Sequence, residues 1–300
     1  LNITKIHTFG SSFTQGGGFE FHLRSSRLLN KIYKGVDSEL SMENFSWPGQ
    51  LQSILGNSIK IENHAKSGYG TDRMIRLVSN LVLDENFNVD TNLLLLEFTF
   101  LGRKEVFCNS INDFVVINYN PRDGINPSEC ISFARTYNIE ETEWNSDSSI
   151  LPSHSFFDKY ITEFINVDNE INSMINESVS FLSMLDRLNV KYIIVQPAPY
   201  IPPRLVDYFD IKSKYVDFGD TNYMLEYATD DGKFGTIFHE TNEMIDDFHF
   251  GFKSSKLVAC KIHDNLVKMK YIDYPILNKT SDDFNYIDDI ICNNLKSKYI

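Results

Sequence analysis

A serine hydroxyl attacks a carbonyl only when a base takes its proton and a carboxylate holds that base in the right tautomer. Three short segments of this chain carry residue types that could divide that work. The first is Phe9-Gly10-Ser11-Ser12-Phe13-Thr14-Gln15-Gly16. Ser12 follows an apolar stretch that reads as a strand, and ligands of an open parallel sheet bind beyond the carboxyl ends of its strands. Its hydroxyl is thus placed to be a nucleophile. Alone, the segment also reads as a Ser-rich turn that caps the next helix. The second segment is Asp246-Asp247-Phe248-His249, just before the last apolar helix. Asp246 and His249 are close enough along the chain to serve as orienter and base; alone, they read as a solvated acidic turn. The third is Asn63-His64-Ala65-Lys66-Ser67-Gly68. A glycine there lets the backbone approach a substrate and offer an N–H to a developing oxyanion. Alone, Gly68 reads as a loop glycine with positive φ.

These segments need elements to carry them. Ile3–Phe9 alternates and then runs apolar, so it reads as a strand, with Arg24–Tyr33 a helix after the small-residue loop. Trp47-Pro48 opens a second helix with Leu51, Ile54 and Leu55 on one face and Gly56 as its stop. Ser58–Glu62 is a short strand. Thr71-Asp72 can cap a helix bearing Met74, Ile75, Leu77, Val78 and Leu81. Leu93–Phe98 is nearly all apolar, as a strand covered on both faces should be. Ile161–Leu188 contains a long helix, Val190–Gln196 another buried strand, and Ser254–Met269 a final helix capped by Ser254 or Ser255. Strands alternating with helices predict an α/β fold with a parallel, twisted sheet covered by helices on both faces.

Two stretches break the rhythm. Residues 103–157 are polar, aromatic and turn-rich, and far longer than usual connections, so they read as a pocket-shaping insertion. Residues 212–242 read as a smaller one. A domain spanning 1–271 and an acidic, Asn-rich tail over 272–300, read as an appended helix, complete the organisation.

Composition limits the function. The 300 residues are 42% hydrophobic and 23% charged, as in ordinary globular proteins and unlike disordered or collagen-like chains. No apolar run reaches the roughly 18–20 residues needed to span a bilayer. The net charge of −13, from 28 basic and 41 acidic residues, argues against nucleic acid as the main partner. Cys108, Cys130, Cys260 and Cys292 are far apart, without the spacing of a zinc site, and read as free thiols. No signal peptide is visible, so a cytoplasmic location is expected; a leader removed before Leu1 is compatible with the same residues. Nothing in the sequence sets the oligomeric state.

Taken together, order and spacing make the three segments resemble the SGNH (GDSL-like) hydrolase family. Its first block usually reads Gly-Asp-Ser-Leu with a glycine four residues after the serine; this chain has Gly10-Ser11-Ser12-Phe13 and Gly16. Asn63 to Gly68 matches Asn-x-x-x-Ser-Gly, and Asp246 to His249 matches Asp-x-x-His. Trp47-Pro48-x-x-Leu51 is similar to the family's first αβ connection. The resemblance covers residues 3–101 and 188–269. It implies a three-layer α/β/α, flavodoxin-like fold with a parallel sheet of about five strands. It also implies acyl transfer: Ser12 attacks an ester, His249 takes the proton, and Asp246, preferred to Asp247 by the family spacing, orients the imidazole. The N–H groups of Ser12 and Gly68 would hold the oxyanion. Two departures stand out. Ser11 replaces the usual Asp, and the third block's Gly-x-Asn-Asp is absent. Thr99 is the nearest polar substitute for that Asn, with Arg103 further along. Losing one oxyanion donor costs about 10²–10³ in turnover. The expected substrate is a small acyl ester or acylated carbohydrate, with no cofactor and no metal. A catalytically silent carbohydrate-binding or structural protein, or an O-acyltransferase on the same site, are the alternatives.

Other motifs are incomplete. There is no Gly-x-Ser-x-Gly elbow. Gly68-Tyr69-Gly70 lacks the third glycine of a dinucleotide fingerprint, and Gly16-Gly17-Gly18 has no Lys-Ser/Thr after it. His239-Glu240 lacks a second histidine, and Asp246, Asp247 and His249 lack a clear third ligand block for a metal. His7 reads as a packing residue inside a strand. His22, His64, His154 and His263 have no evident partners in the sequence.

Overall fold

Leu93, Leu94, Leu95 and Leu96 have no exposed surface at all, which a strand achieves only with both faces covered. They belong to β3 (Asn92–Glu97), an inner strand of a parallel sheet. The computed structural model describes residues 3–16, 46–66, 68–99, 102–109, 112–119, 131–136, 166–195, 202–212, 214–218, 224 and 252–279. The sheet runs in the order β2-β1-β3-β7, with β1 Lys5–Phe9, β2 Lys60–Asn63 and β7 Lys191–Val195. A single parallel bridge, Ile194 to Tyr215, adds the beginning of a fifth position beside β7.

The period of two along each strand sends alternate residues to opposite layers. Ile6, Leu93, Leu95, Ile193 and Val195 pack with Trp47, Leu51 and Leu55 of α2 (Trp47–Leu55) and with Val258, Ile262 and Leu266 of α6 (Phe252–Lys268). Phe9, Leu94, Leu96, Tyr192 and Ile194 pack the other way. Their partners are Met74 and Val78 of α3 (Thr71–Val82), Leu182 and Leu185 of α4 (Val167–Arg187), and Phe209 of α5 (Pro203–Lys212). This is the three-layer α/β/α arrangement. Each fully buried leucine contributes about 2 kcal/mol.

The connections locate the crevice. From β1 the chain crosses through α2 to β2 on one side, then through α3 to β3 on the other side of β1. Such a reversal between neighbouring strands opens a gap beyond their carboxyl ends.

Part of the stretch read as irregular and turn-rich is regular. Strands β4 (Arg103–Cys108), β5 (Asp113–Tyr119) and β6 (Ile131–Thr136) form a second, antiparallel sheet. Three boundaries also move. β2 runs over Lys60–Asn63, because Ser58 turns back to bond the Leu55 carbonyl. Gly70 takes the N-cap position of α3, so Thr71 is its first helical residue. Ser254 and Ser255 lie inside α6 and do not cap it. Residues 273–279 are not helical; Asp264 accepts from the Leu277 and Asn278 N–H groups and holds this stretch against α6. The expected helix Arg24–Tyr33, nearly all of 219–251 and the end of the tail lie outside the described residues.

Candidate active site

Ser12 is the first residue of a one-turn helix, α1 (Ser12–Gln15), directly beyond β1. It is buried to 3% exposure. Gly16 ends the turn with φ 94°, a left-handed conformation that favours glycine, and donates to the Ser12 carbonyl.

The turn is held from two sides. On one side stands Asn63, the last residue of β2. Its Oδ1 accepts from Thr8 Oγ1 at 2.9 Å and from the Ala65 N–H at 3.1 Å, while its Nδ2 donates to the Thr14 carbonyl at 3.1 Å. One carboxamide thus ties β1, α1 and the loop after β2 together. The Lys66 N–H then donates to the Gly10 carbonyl at 3.1 Å, drawing that loop across the end of β1. Gly68 lies two residues further on, buried, with φ 81°.

On the other side stands Glu97, which ends β3 with no exposed surface. Ser11 Oγ donates to its Oε1 at 2.5 Å, and Thr14 Oγ1 donates to its Oε2. Burial pushes its carboxyl above the usual range, while the two hydroxyls pull the other way. The carboxylate lies directly against Gly10: a Cβ there would stand 2.4 Å from Glu97 Oε2 and 2.6 Å from its Cβ. Glu97 has no role in the motifs of the sequence: a lone acid closes an apolar run there, but the hydroxyls it meets are set by the strand order.

Thr99, two residues beyond Glu97, is buried; its N–H donates to Thr71 Oγ1 at 3.1 Å, and the two hydroxyls are 3.5 Å apart. Thr71 opens α3, whose next residue anchors the antiparallel sheet. Asp72 accepts from the Arg73 N–H at 2.8 Å and from the Glu105 N–H at 2.5 Å. Burial raises its pKa to about 6. The turn before α3 is equally tight, since a Cβ on Gly70 would lie 2.3 Å from the Arg103 carbonyl oxygen.

Ser12, Gly68 and Thr99 therefore follow the carboxyl ends of the adjacent strands β1, β2 and β3. Asp246 and His249 lie outside the described residues. Two histidines without evident partners in the sequence have them in the fold. His64 contacts His7, and His263 contacts Asp264 at 3.1 Å. Cys260 is buried and is a thiol, not half of a disulfide. Among the described residues no helix is long and apolar enough to cross a membrane.

No family model and no curated protein matches the chain. Among solved structures it is similar to the psychrotrophic esterase EstA from Pseudoalteromonas sp., at 12% identity and TM-score 0.42, covering 90% of this chain and 100% of the other. A member of the lipolytic protein G-D-S-L family from Veillonella parvula DSM 2008 aligns at 12% identity and TM-score 0.40, over 88% and 99%. A carbohydrate acetylesterase family member from Sinorhizobium meliloti aligns at 11% identity and TM-score 0.41, over 90% and 100%. The fold assignment itself stands on the strand order and layering of this chain.

Proposed function

We propose that the protein is a serine hydrolase of the SGNH type that cleaves carboxylic esters through an acyl-serine intermediate. The observation that carries this reading is the setting of Ser12. It lies at the strand-order reversal of the parallel sheet, on a turn braced from both sides by Asn63 and Glu97. A turn that only capped a helix would not need side chains from two other strands to fix it.

In this mechanism Ser12 Oγ attacks the ester carbonyl carbon, and its proton passes to His249, which Asp246 orients. The oxyanion is met by the N–H groups of Ser12 and Gly68. The Thr99 N–H is committed to Thr71, so only its hydroxyl is a candidate third donor. The protonated imidazole gives its proton to the leaving alkoxide, and water, activated by the same base, releases the acyl group. Acylated carbohydrate is the substrate class that the family resemblance favours.

Ser12→Ala and His249→Ala should each abolish p-nitrophenyl acetate hydrolysis and fluorophosphonate labelling. Full activity in either variant would reject the assignment. The Thr in place of the third-block Asn favours a second reading, a silent carbohydrate-binding protein that keeps the fold. Absence of any fluorophosphonate adduct on Ser12 in the wild-type protein would select it. Acetyl transfer to a sugar exceeding hydrolysis would select an O-acyltransferase.

A further inference from the structure

We propose that His7, Glu62 and His64 form a binding site for a divalent metal ion of the zinc class. The three residues come from β1, β2 and the loop that leaves β2. His7 and Glu62 are direct partners in the parallel register of the two strands. His7 Nδ1 lies 3.0 Å from His64 Nε2 and 3.4 Å from Glu62 Oε2, and one donor atom from each residue falls within 4.8 Å of the others. Zinc–nitrogen bonds of ~2.0–2.1 Å at tetrahedral angles set neighbouring donors roughly 3.3–3.4 Å apart. The His7–Glu62 spacing already matches. The two imidazoles must turn and open by a few tenths of an ångström.

The surroundings prepare the donors. His7 is 2% exposed, with the Phe87 ring 6.1 Å away and a hydrogen bond to the Asn92 side chain. Such an outer partner fixes the tautomer and orientation of a ligating imidazole. The His64 ring lies on Phe9 at 4.7 Å. Each imidazole offers a ring nitrogen toward the same space, and the neutral ring is the ligand form. Without the ion, one ring N–H donates to the nitrogen of the other. Ligation moves that hydrogen to the outer nitrogen of its ring, so no net proton is lost.

Glu62 divides its two oxygens. Oε1 receives Lys60 at 2.8 Å and Lys5 at 3.0 Å, while Oε2 faces His7. The ion would take Oε2 and leave both lysines in place. The positive field of Lys5, Lys60 and Arg73 selects against hard cations that bind through charge alone. It leaves ions for which imidazole is a strong ligand, so zinc, cobalt or nickel should bind and calcium or magnesium should not. Because His64 begins the loop leading to Gly68, the ion would staple β1, edge strand β2 and that loop. Three protein donors leave the fourth tetrahedral position to water.

The test uses the full chain stripped with a chelator. Zn²⁺ should bind at one equivalent by calorimetry and raise Tm, and Co²⁺ should give the visible absorption bands of a tetrahedral site. Glu62→Gln and His64→Gln should each weaken binding by about tenfold or more. Glu62 is at the surface, so its variant keeps the fold even where His64→Gln does not. His249→Ala should bind as the wild type does. No stoichiometric binding by the wild type, undiminished binding in Glu62→Gln, or loss of binding in His249→Ala would each overturn the site.

Discussion

At the scale of single residues, the Ser12 turn depends on one buried acid. Removing the Glu97 carboxyl leaves the Ser11 and Thr14 hydroxyls buried without their acceptor, at about 1–3 kcal/mol each. Glu97→Ala should therefore lower unfolding free energy by about 3 kcal/mol or more. Glu97→Gln keeps the volume, and the hydroxyls can rotate to meet the carboxamide, so it should cost about 1 kcal/mol. Urea unfolding of the two variants decides; equal losses would show that the hydroxyl contacts contribute nothing. The same geometry turns a family residue into a liability. Ser11→Asp, the residue usual in the SGNH first block, would set a second carboxylate against Glu97, where the Ser11 hydroxyl now donates at 2.5 Å. It should destabilise the wild type and be largely tolerated beside Glu97→Gln, and a double-mutant cycle reads that coupling. In this chain the buried carboxylate beside the Ser12 turn comes from β3.

At the scale of elements, α3 joins the Gly68 loop to the antiparallel sheet. Arg76 forks onto Glu105 with two contacts of 3.0 Å and lies 4.0 Å over the Phe114 ring. Arg76→Lys keeps the charge and loses both the fork and the planar stacking. It should cost about 1 kcal/mol and raise backbone hydrogen exchange in β4 more than in β3. Equal exchange in the two strands would mean that α3 does not anchor the ribbon. The elements of the parallel sheet were legible because each apolar run is long enough to show its period: Leu93–Leu96 and Val190–Val195 could be read directly. Residues 103–157 were not legible, because β4–β6 share their stretch with turn residues. Cap positions escaped too. Gly70 and Thr71 exchange roles because a backbone contact with Arg103 fixes the turn, and nothing local in the sequence announces a contact 33 residues away. Of the candidate site, Ser12 and Gly68 were readable from motif spacing. Glu97 and the His7–His64 pair were not, since both depend on which strands become neighbours.

At the scale of the whole molecule, Asp72 adds a falling contribution to the pH dependence of stability, opposite in sign to that of buried His7, whose pKa is lowered to about 4. Burial raises the folded pKa of Asp72 to about 6 from the ordinary 3.8, with the Glu105 charge adding to the shift and Lys104 opposing it. The folded state then binds more protons than the unfolded chain between those values. The stabilisation is complete below pH 3.8 and is lost as pH rises through about 6. Asp72→Asn should remove that contribution, so the slope of unfolding free energy against pH over pH 4–6.5, measured on chelator-stripped protein, should be more positive in the variant than in the wild type, whatever its effect on absolute stability. An unchanged slope would place the ionisation elsewhere.

The contact between Gly70 and the Arg103 carbonyl has a mechanical meaning. Main chain meets main chain there with no side chain between them to act as a cushion, so the root of the three-stranded sheet and the segment bearing Gly68 move as one lever. A ligand held at the far end of that sheet would announce itself at the base, as a shifted amide resonance of residue 70.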